Sequence, residues 1–246
     1  MNSKLNIWNG IYDEWPSISA ENEFYDSQVW TSRIDQQLSE YLEMRSQYGC
    51  KPPRGSSLPW VMADKTLREV LDFGGASGWQ YLYLSDTCDV RHIKRYTILE
   101  RKEVADKFAN HPSLKEGIGV HYICDLIDVQ PCDLLYVNSV LQYFEHLNYF
   151  SELIKKANPK KILIDDAFIG EFKTFFSKQT AYNFEIPCSF MNRQYLIGVL
   201  NSCGYIMTLD VPFLSPIRGI VSRLPMDNFP ENYRIEHPRS LLFTRT

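Results

Sequence analysis

A short apolar run at Val70-Leu71 meets an acid at Asp72 and then breaks into Phe73-Gly74-Gly75-Ala76-Ser77-Gly78, a turn with three glycines. Nothing else in the chain constrains its fold as tightly. Glycine accepts positive φ and lets the backbone approach a ligand that any Cβ would block. In α/β sheets, a glycine-rich bend between a strand and a helix is where nucleoside ligands sit. The spacing therefore predicts a strand over Glu69–Phe73, a helix from about residue 78, and a ligand-facing bend between them.

The chain downstream repeats the alternation. Further strands are predicted at Tyr96–Leu99, ending at Glu100, and at Val120–Cys124, ending at Asp125. Two more follow at Asp133–Val137, leading to Asn138-Ser139, and at Lys161–Ile164, ending at Asp165-Asp166. Helices fit at about 78–86, 102–110 and 141–157. Strands separated by single helices pair in parallel through right-handed crossovers. A helix over about 192–202 stops at Gly204, a good residue just past a helix end, and strands at Tyr205–Val211 and Leu241–Thr244 complete the pattern.

Residues 1–60 differ from this body at 61–246. Trp8, Tyr12, Trp15, Phe24, Tyr25 and Trp30 stand in a polar background, and Trp30, Ile34, Leu38, Tyr41 and Leu42 keep helical spacing over roughly 27–48. The segment reads as a helical extension packed on the flank of the main domain or as a lid over its ligand. A net charge of −4 and a pI of about 5.8 argue against a nucleic-acid partner. Six scattered cysteines without a C-x-x-C pair, and no secretory leader, point to the cytoplasm. No apolar run reaches the length of a membrane span. The five histidines show no paired ligand spacing, so no metal site is expected.

Acids that end successive strands gather at the carboxyl edge of the sheet, where open α/β folds bind ligands. Glu100 there suits both hydroxyls of a ribose, and Asp125 an adenine amino group. Leu71-Asp72-Phe73-Gly74-Gly75-Ala76-Ser77-Gly78 and Asp133-Leu134-Leu135-Tyr136-Val137-Asn138-Ser139-Val140-Leu141-Gln142-Tyr143 resemble the first and fourth motifs of class I S-adenosylmethionine-dependent methyltransferases. The likeness spans about 67–211, with Gly-Gly-x-x-Gly in place of the usual Gly-x-Gly-x-Gly. Ile7-Trp8-Asn9-Gly10-Ile11-Tyr12-Asp13-Glu14-Trp15 further resembles a bacterial methyltransferase group linked to surface-polysaccharide and capsule biosynthesis.

The resemblance implies a Rossmann-like sheet of seven strands, mostly parallel with the last antiparallel, and helices on both faces. It implies S-adenosyl-L-methionine as cofactor, with Asp72, Gly74, Gly75 and Gly78 around its methionine part and Glu100 on the ribose. Asp125 with Leu126 would meet the adenine, and Asn138 with Ser139 would lie near the sulfonium. The implied reaction is O-methylation of a small acceptor, a sugar or nucleotide-linked sugar. A base for it is sought in Asp166, Asp165 or His146, each of which also reads as a capping, turn or solvated residue. Gln179, Tyr182 and Arg193 are the polar groups expected to meet the acceptor. The phenylalanines of 167–191 read as the core face of an amphipathic helix. Rival readings are an NAD-dependent sugar-modifying Rossmann enzyme, which lacks support in the absence of a Tyr-x-x-x-Lys pair, and a non-catalytic methyltransferase-like partner module.

Overall fold

The computed structural model describes residues 7–17, 24–26, 28–48, 56–115, 117–181, 183–214, 216–217, 220–221 and 223–246. In chain order its strands and helices are β1 (Trp8–Tyr12), α1 (Gln28–Tyr48), α2 (Leu58–Val61), β2 (Glu69–Phe73), α3 (Trp79–Thr87), β3 (Arg95–Leu99) and α4 (Lys102–Phe108). Then come β4 (Val120–Ile123), β5 (Leu134–Asn138), α5 (Asn148–Ala157), β6 (Lys161–Ala167), β7 (Ile169–Gly170), β8 (Phe175–Ala181) and β9 (Phe184–Asn192). The chain closes with α6 (Arg193–Ser202), β10 (Tyr205–Pro212), the small pair β11 (Pro216–Ile217) and β12 (Ile220–Val221), and β13 (Arg239–Arg245).

Seven strands form the main sheet in the order β10-β13-β6-β5-β2-β3-β4. β2 through β6 run parallel, and β13 lies antiparallel between β6 and β10. The parallel strands are nearly continuous apolar runs because helices cover both faces. On one face, Ile34, Leu38 and Tyr41 of α1 pack with Tyr81, Leu82 and Phe108. On the other, Phe150, Leu153, Ile154 and Ala157 of α5 and Leu196 and Leu200 of α6 close the second core. The 3.6-residue spacing seen in these helices is the spacing that puts one apolar stripe against a sheet. α5 ends where Asn158 turns left-handed, its N–H returning to the Ile154 carbonyl at 2.8 Å. Among the described residues no helix is long and apolar enough to cross a membrane.

Three segments depart from the sequence reading. Residues 175–192 are not a helix but the antiparallel pair β8–β9, in a second sheet ordered β1-β8-β9-β7. Phe168, Phe172, Phe175 and Phe176 match helical spacing by coincidence. Cross-strand pairing overrides it, with Phe175 facing Phe190 in register and the rings stacked 4.8 Å apart. The predicted helix at 141–157 begins only at Asn148, after a 3-10 turn at Leu141–Tyr143. The extension before residue 60 is helical only in part: β1 pairs with β8, so Trp8 lies against Phe168 and Phe190 in a third core.

Asp165, at the end of β6, joins the chain before residue 60 to the sheet. Its buried carboxylate accepts from Ser56 Oγ at 2.9 Å, Ser57 N at 3.1 Å, Tyr136 Oη at 3.3 Å and from Ser240 Oγ. Removing a shared acceptor leaves each donor to bear its own desolvation cost. Asp165→Ala is therefore expected to cost about 3 kcal/mol. In a chain of this size that is a fall of roughly 6–12 °C in the thermal midpoint. Circular dichroism melts check this, and an unchanged midpoint would show the clasp to be dispensable.

Candidate functional site

The strand order reverses at β2, whose neighbours β3 and β5 lead away on opposite sides. A crevice must open at the carboxyl ends of β2 and β5, and open α/β sheets bind their ligands there. A cavity of about 600 Å³ occupies it. The predicted residues Asp72, Gly74, Gly75, Glu100, Asn138, Ser139, Asp166 and Gln179 all line this one space.

The glycine bend is shaped as the sequence implied. Gly74 has φ +73°, and a Cβ on it would come within 2.5 Å of Val140 Cγ2. A Cβ on Gly75 would meet the Asp72 carboxyl at 2.6 Å. Side chains at either place would fill the bend. The backbone is also strained here: Ala76, Ser139 and Asp166, all on the cavity wall, are non-glycine residues at φ 48°, 57° and 59°. Such conformations cost energy and persist where the surrounding structure enforces them, commonly at ligand sites.

The acids of the wall are poorly hydrated. Asp72 is buried and accepts from Tyr96 Oη at 2.8 Å. Burial pushes its carboxyl up to about 7, with the phenol's hydrogen bond pulling the other way and the Glu100 charge adding to the rise. Glu100 is likewise raised by burial, against hydrogen bonds from the N–H groups of Arg101 and Ala76. Across the cavity, burial lifts Asp166 to about 7, opposed by a hydrogen bond from Ser139 Oγ and helped by the neighbouring Asp165 charge.

Other predicted residues lie off the wall. Gly78 is the residue before α3, held at φ +74°, where an added Cβ would crowd Ile98, Tyr122 and Leu114 at 3.1–3.2 Å. Asp125 is exposed and caps a 3-10 turn, accepting from Ile127 N at 2.9 Å, while Cys124 takes the place on the wall. Leu126 packs against the core beneath. Asp165 faces its four donors instead of the cavity. His146 is exposed beside Glu145, because the late start of α5 leaves it in a surface loop. Arg193 turns from the cavity to Asp210, with Nη2 2.6 Å from Oδ2. Tyr182 lies outside the described residues.

Sequence reasoning passed over Gln80, Tyr143 and Phe213, which the cavity adds. Tyr143 belonged to a motif already singled out, but only the 3-10 turn directs it inward. Phe213 carried no signal, since it arrives from beyond β10. Phe24, Tyr25 and Trp30 of the aromatic N-terminal segment also border the cavity.

No protein-family model matches this chain, and no curated protein matches it. Solved structures do. Magnesium protoporphyrin IX methyltransferase (ChlM) from Synechocystis PCC 6803, with bound SAM, superposes at a TM-score of 0.54 and 12% identity, over 94% of this chain and 100% of that one. Burkholderia thailandensis 1,6-didemethyltoxoflavin-N1-methyltransferase, with its substrate and S-adenosylhomocysteine, gives 0.51 and 12% over 96% and 95%. The O-methyltransferase NcsB1 of neocarzinostatin biosynthesis, bound to S-adenosylhomocysteine and 1,4-dihydroxy-2-naphthoic acid, gives 0.51 and 14% over 91% of this chain and 61% of its own. The fold is that of class I methyltransferases. Within that fold, the bend after β2 and the acid after β3 fall at the carboxyl edge of the sheet.

The bend's open space fits a ligand that needs close backbone approach. Gln80 Oε1, buried and on the same wall, has no hydrogen-bond partner among the described residues, so it suits a ligand donor.

The raised acids make stability depend on pH. Between 3.8 and about 7, Asp72 and Asp166 hold protons in the folded chain that they have lost in the unfolded one. Stability from these groups therefore falls as pH rises through that window. Asp64 and Asp89, held low by hydrogen bonds from Lys161 and Arg91, change charge only below it. Denaturant titrations at pH 5 and pH 8 should show Asp72→Asn and Asp166→Asn gaining stability relative to wild type at the higher pH. An identical difference at both would overturn the assignment.

Proposed function

We propose that this chain is an S-adenosylmethionine-dependent methyltransferase that methylates a hydroxyl of a small acceptor, of the sugar class that its sequence resemblance indicates. One observation carries the reading: a single cavity has the glycine bend and Glu100 on one side and Asp166, close to neutrality, on the other. The antiparallel β13 between β6 and β10 favours this over an NAD-dependent reading, whose sheet continues in parallel strands.

Bound in this cavity, S-adenosylmethionine would supply an electrophilic methyl group on a sulfonium. The protein's part is to hold, orient and keep water out. Asp72, Gly74 and Gly75 would border the amino-acid part, and Glu100 would take the ribose hydroxyls. Asn138 and Ser139 would stand between donor and acceptor. Asp125 and Leu126 would shape the strand end beside Cys124 without touching the ligand.

Asp166 is the base in this reading. A general base works best with a pKa near the working pH, and enclosure raises Asp166 into that range. Ser139 Oγ holds its carboxylate in one orientation. Asp165 is occupied by four donors, and His146 faces solvent, so neither competes for the role. Gln179 stands on the acceptor side. Arg193 would act only through its ion pair with Asp210, which anchors the start of α6 to β10.

Calorimetry with S-adenosylhomocysteine tests the donor site. Glu100→Ala should weaken binding by roughly 10- to 100-fold, the worth of a charge-assisted hydrogen bond. Unaltered binding would remove Glu100 from the ribose. Asp166→Asn should lower kcat by about 10²- to 10⁴-fold while S-adenosylhomocysteine still binds. Wild-type kcat should rise with pH through about 7, as the carboxyl ionises. Equal turnover in the variant would refute the base.

A further inference from the structure

The acceptor side of the cavity brings together Tyr25, Tyr143 and Gln179, three polar side chains drawn from distant parts of the sequence. Tyr143 Oη donates to Gln179 Oε1 at 3.0 Å. Each member is held by its surroundings. The Tyr25 ring meets Trp30 edge-on at 5.2 Å and Tyr143 at 5.3 Å, and the Arg101 guanidinium lies 5.6 Å from its centroid. Gln179 sits mid-strand in β8, paired in register with Trp8 of β1 on one side and Ile186 of β9 on the other.

Because Tyr143 Oη donates to its Oε1, Gln179 turns its carbonyl oxygen to Tyr143 and its amide N–H pair elsewhere. Gln179 lines the cavity, and no hydrogen bond of its Nε2 occurs among the described residues. Ala181, Ile186 and Phe213 give the same space apolar walls. A neutral donor pair beside apolar walls matches a ring that carries oxygens on its edge and C–H groups on its face.

Resting on the methyltransferase reading above, we propose that the hydrogen-bonded Tyr143–Gln179 pair, backed by the Tyr25 ring, anchors the acceptor: Gln179 N–H donates to an oxygen next to the hydroxyl that Asp166 deprotonates, and so selects a neutral pyranose ring. Tyr143 and Tyr25 are positioning residues in this arrangement. Tyr143 fixes which end of the amide faces the substrate, and the Tyr25 ring packs edge-on against Tyr143. Because Tyr25 also carries Arg101 against its ring, the N-terminal segment links the donor side of the cavity to the acceptor side.

Saturation-transfer NMR with the methyl glycosides of glucose, galactose and mannose, on protein loaded with S-adenosylhomocysteine, tests this. At least one glycoside should bind the wild type. Gln179→Leu and the conservative Tyr143→Phe should each weaken that binding by roughly tenfold, the worth of one hydrogen bond to a polar ligand. Neither should change the affinity for S-adenosylhomocysteine, which a general collapse of the cavity would move. Undiminished glycoside binding in both variants would overturn the anchor. So would a wild type that binds S-adenosylhomocysteine but no glycoside. Failure to bind S-adenosylhomocysteine at all would instead bring down the donor reading on which the anchor rests.

Discussion

The reversal of strand order at β2 is the constraint on which the rest of the structure depends. Parallel strands connected by helices fill a sheet outward from the first strand, and here β3 and β5 depart from β2 in opposite directions. Helices following β2 and β5 therefore pack on opposite faces and part above the strand ends. The gap between them cannot be closed by the parallel core. It is lined instead by what the strand ends carry: the glycine bend after β2, Glu100 after β3, Ser139 after β5 and Asp166 in β6. The bend stays open because Gly74 has no Cβ to place against Val140.

Two adjacent aspartates show how one strand end serves two purposes. Asp165 and Asp166 follow one another in β6, so their side chains leave on different sides. Asp165 enters the interior and gathers Ser56, Ser57, Tyr136 and Ser240. Asp166, at positive φ, faces the cavity and has Ser139 as its donor. The first secures the chain that precedes the main sheet, and the second borders the cavity. Burial raises both carboxyls, but only one has room for a ligand beside it.

The second sheet gives the cavity its far wall. β8 and β9 leave β6 and return to α6, and β1 joins them from the other end of the chain. Trp8, Phe168, Phe175, Phe190 and Phe229 make a compact aromatic core there. Gln179 and Ile186 are directly opposed in register and face the cavity together. Rigid strands place such side chains more firmly than a loop would.

Much of the main sheet was legible in the sequence, because apolar runs ending in acids and separated by amphipathic stretches have few other ways to bury their surface. The bend at Gly74-Gly75 and the positions of Asp72, Glu100 and Asp166 at one edge follow from that alternation alone. Tertiary structure decided the rest. The phenylalanines of 168–176 satisfy a helical period, and only the partner strand β9 and the stacking of Phe175 on Phe190 make them a sheet. Asp125 and Arg193 each take up a partner within the chain, Ile127 N and Asp210, that the sequence pattern does not reveal. Tyr143 turns inward because a 3-10 turn replaces the first turns of a helix, and Phe213 follows a strand that pairs with the far end of the chain. Local pattern determines which surfaces must be buried, whereas the choice among partners belongs to contacts between residues far apart in sequence.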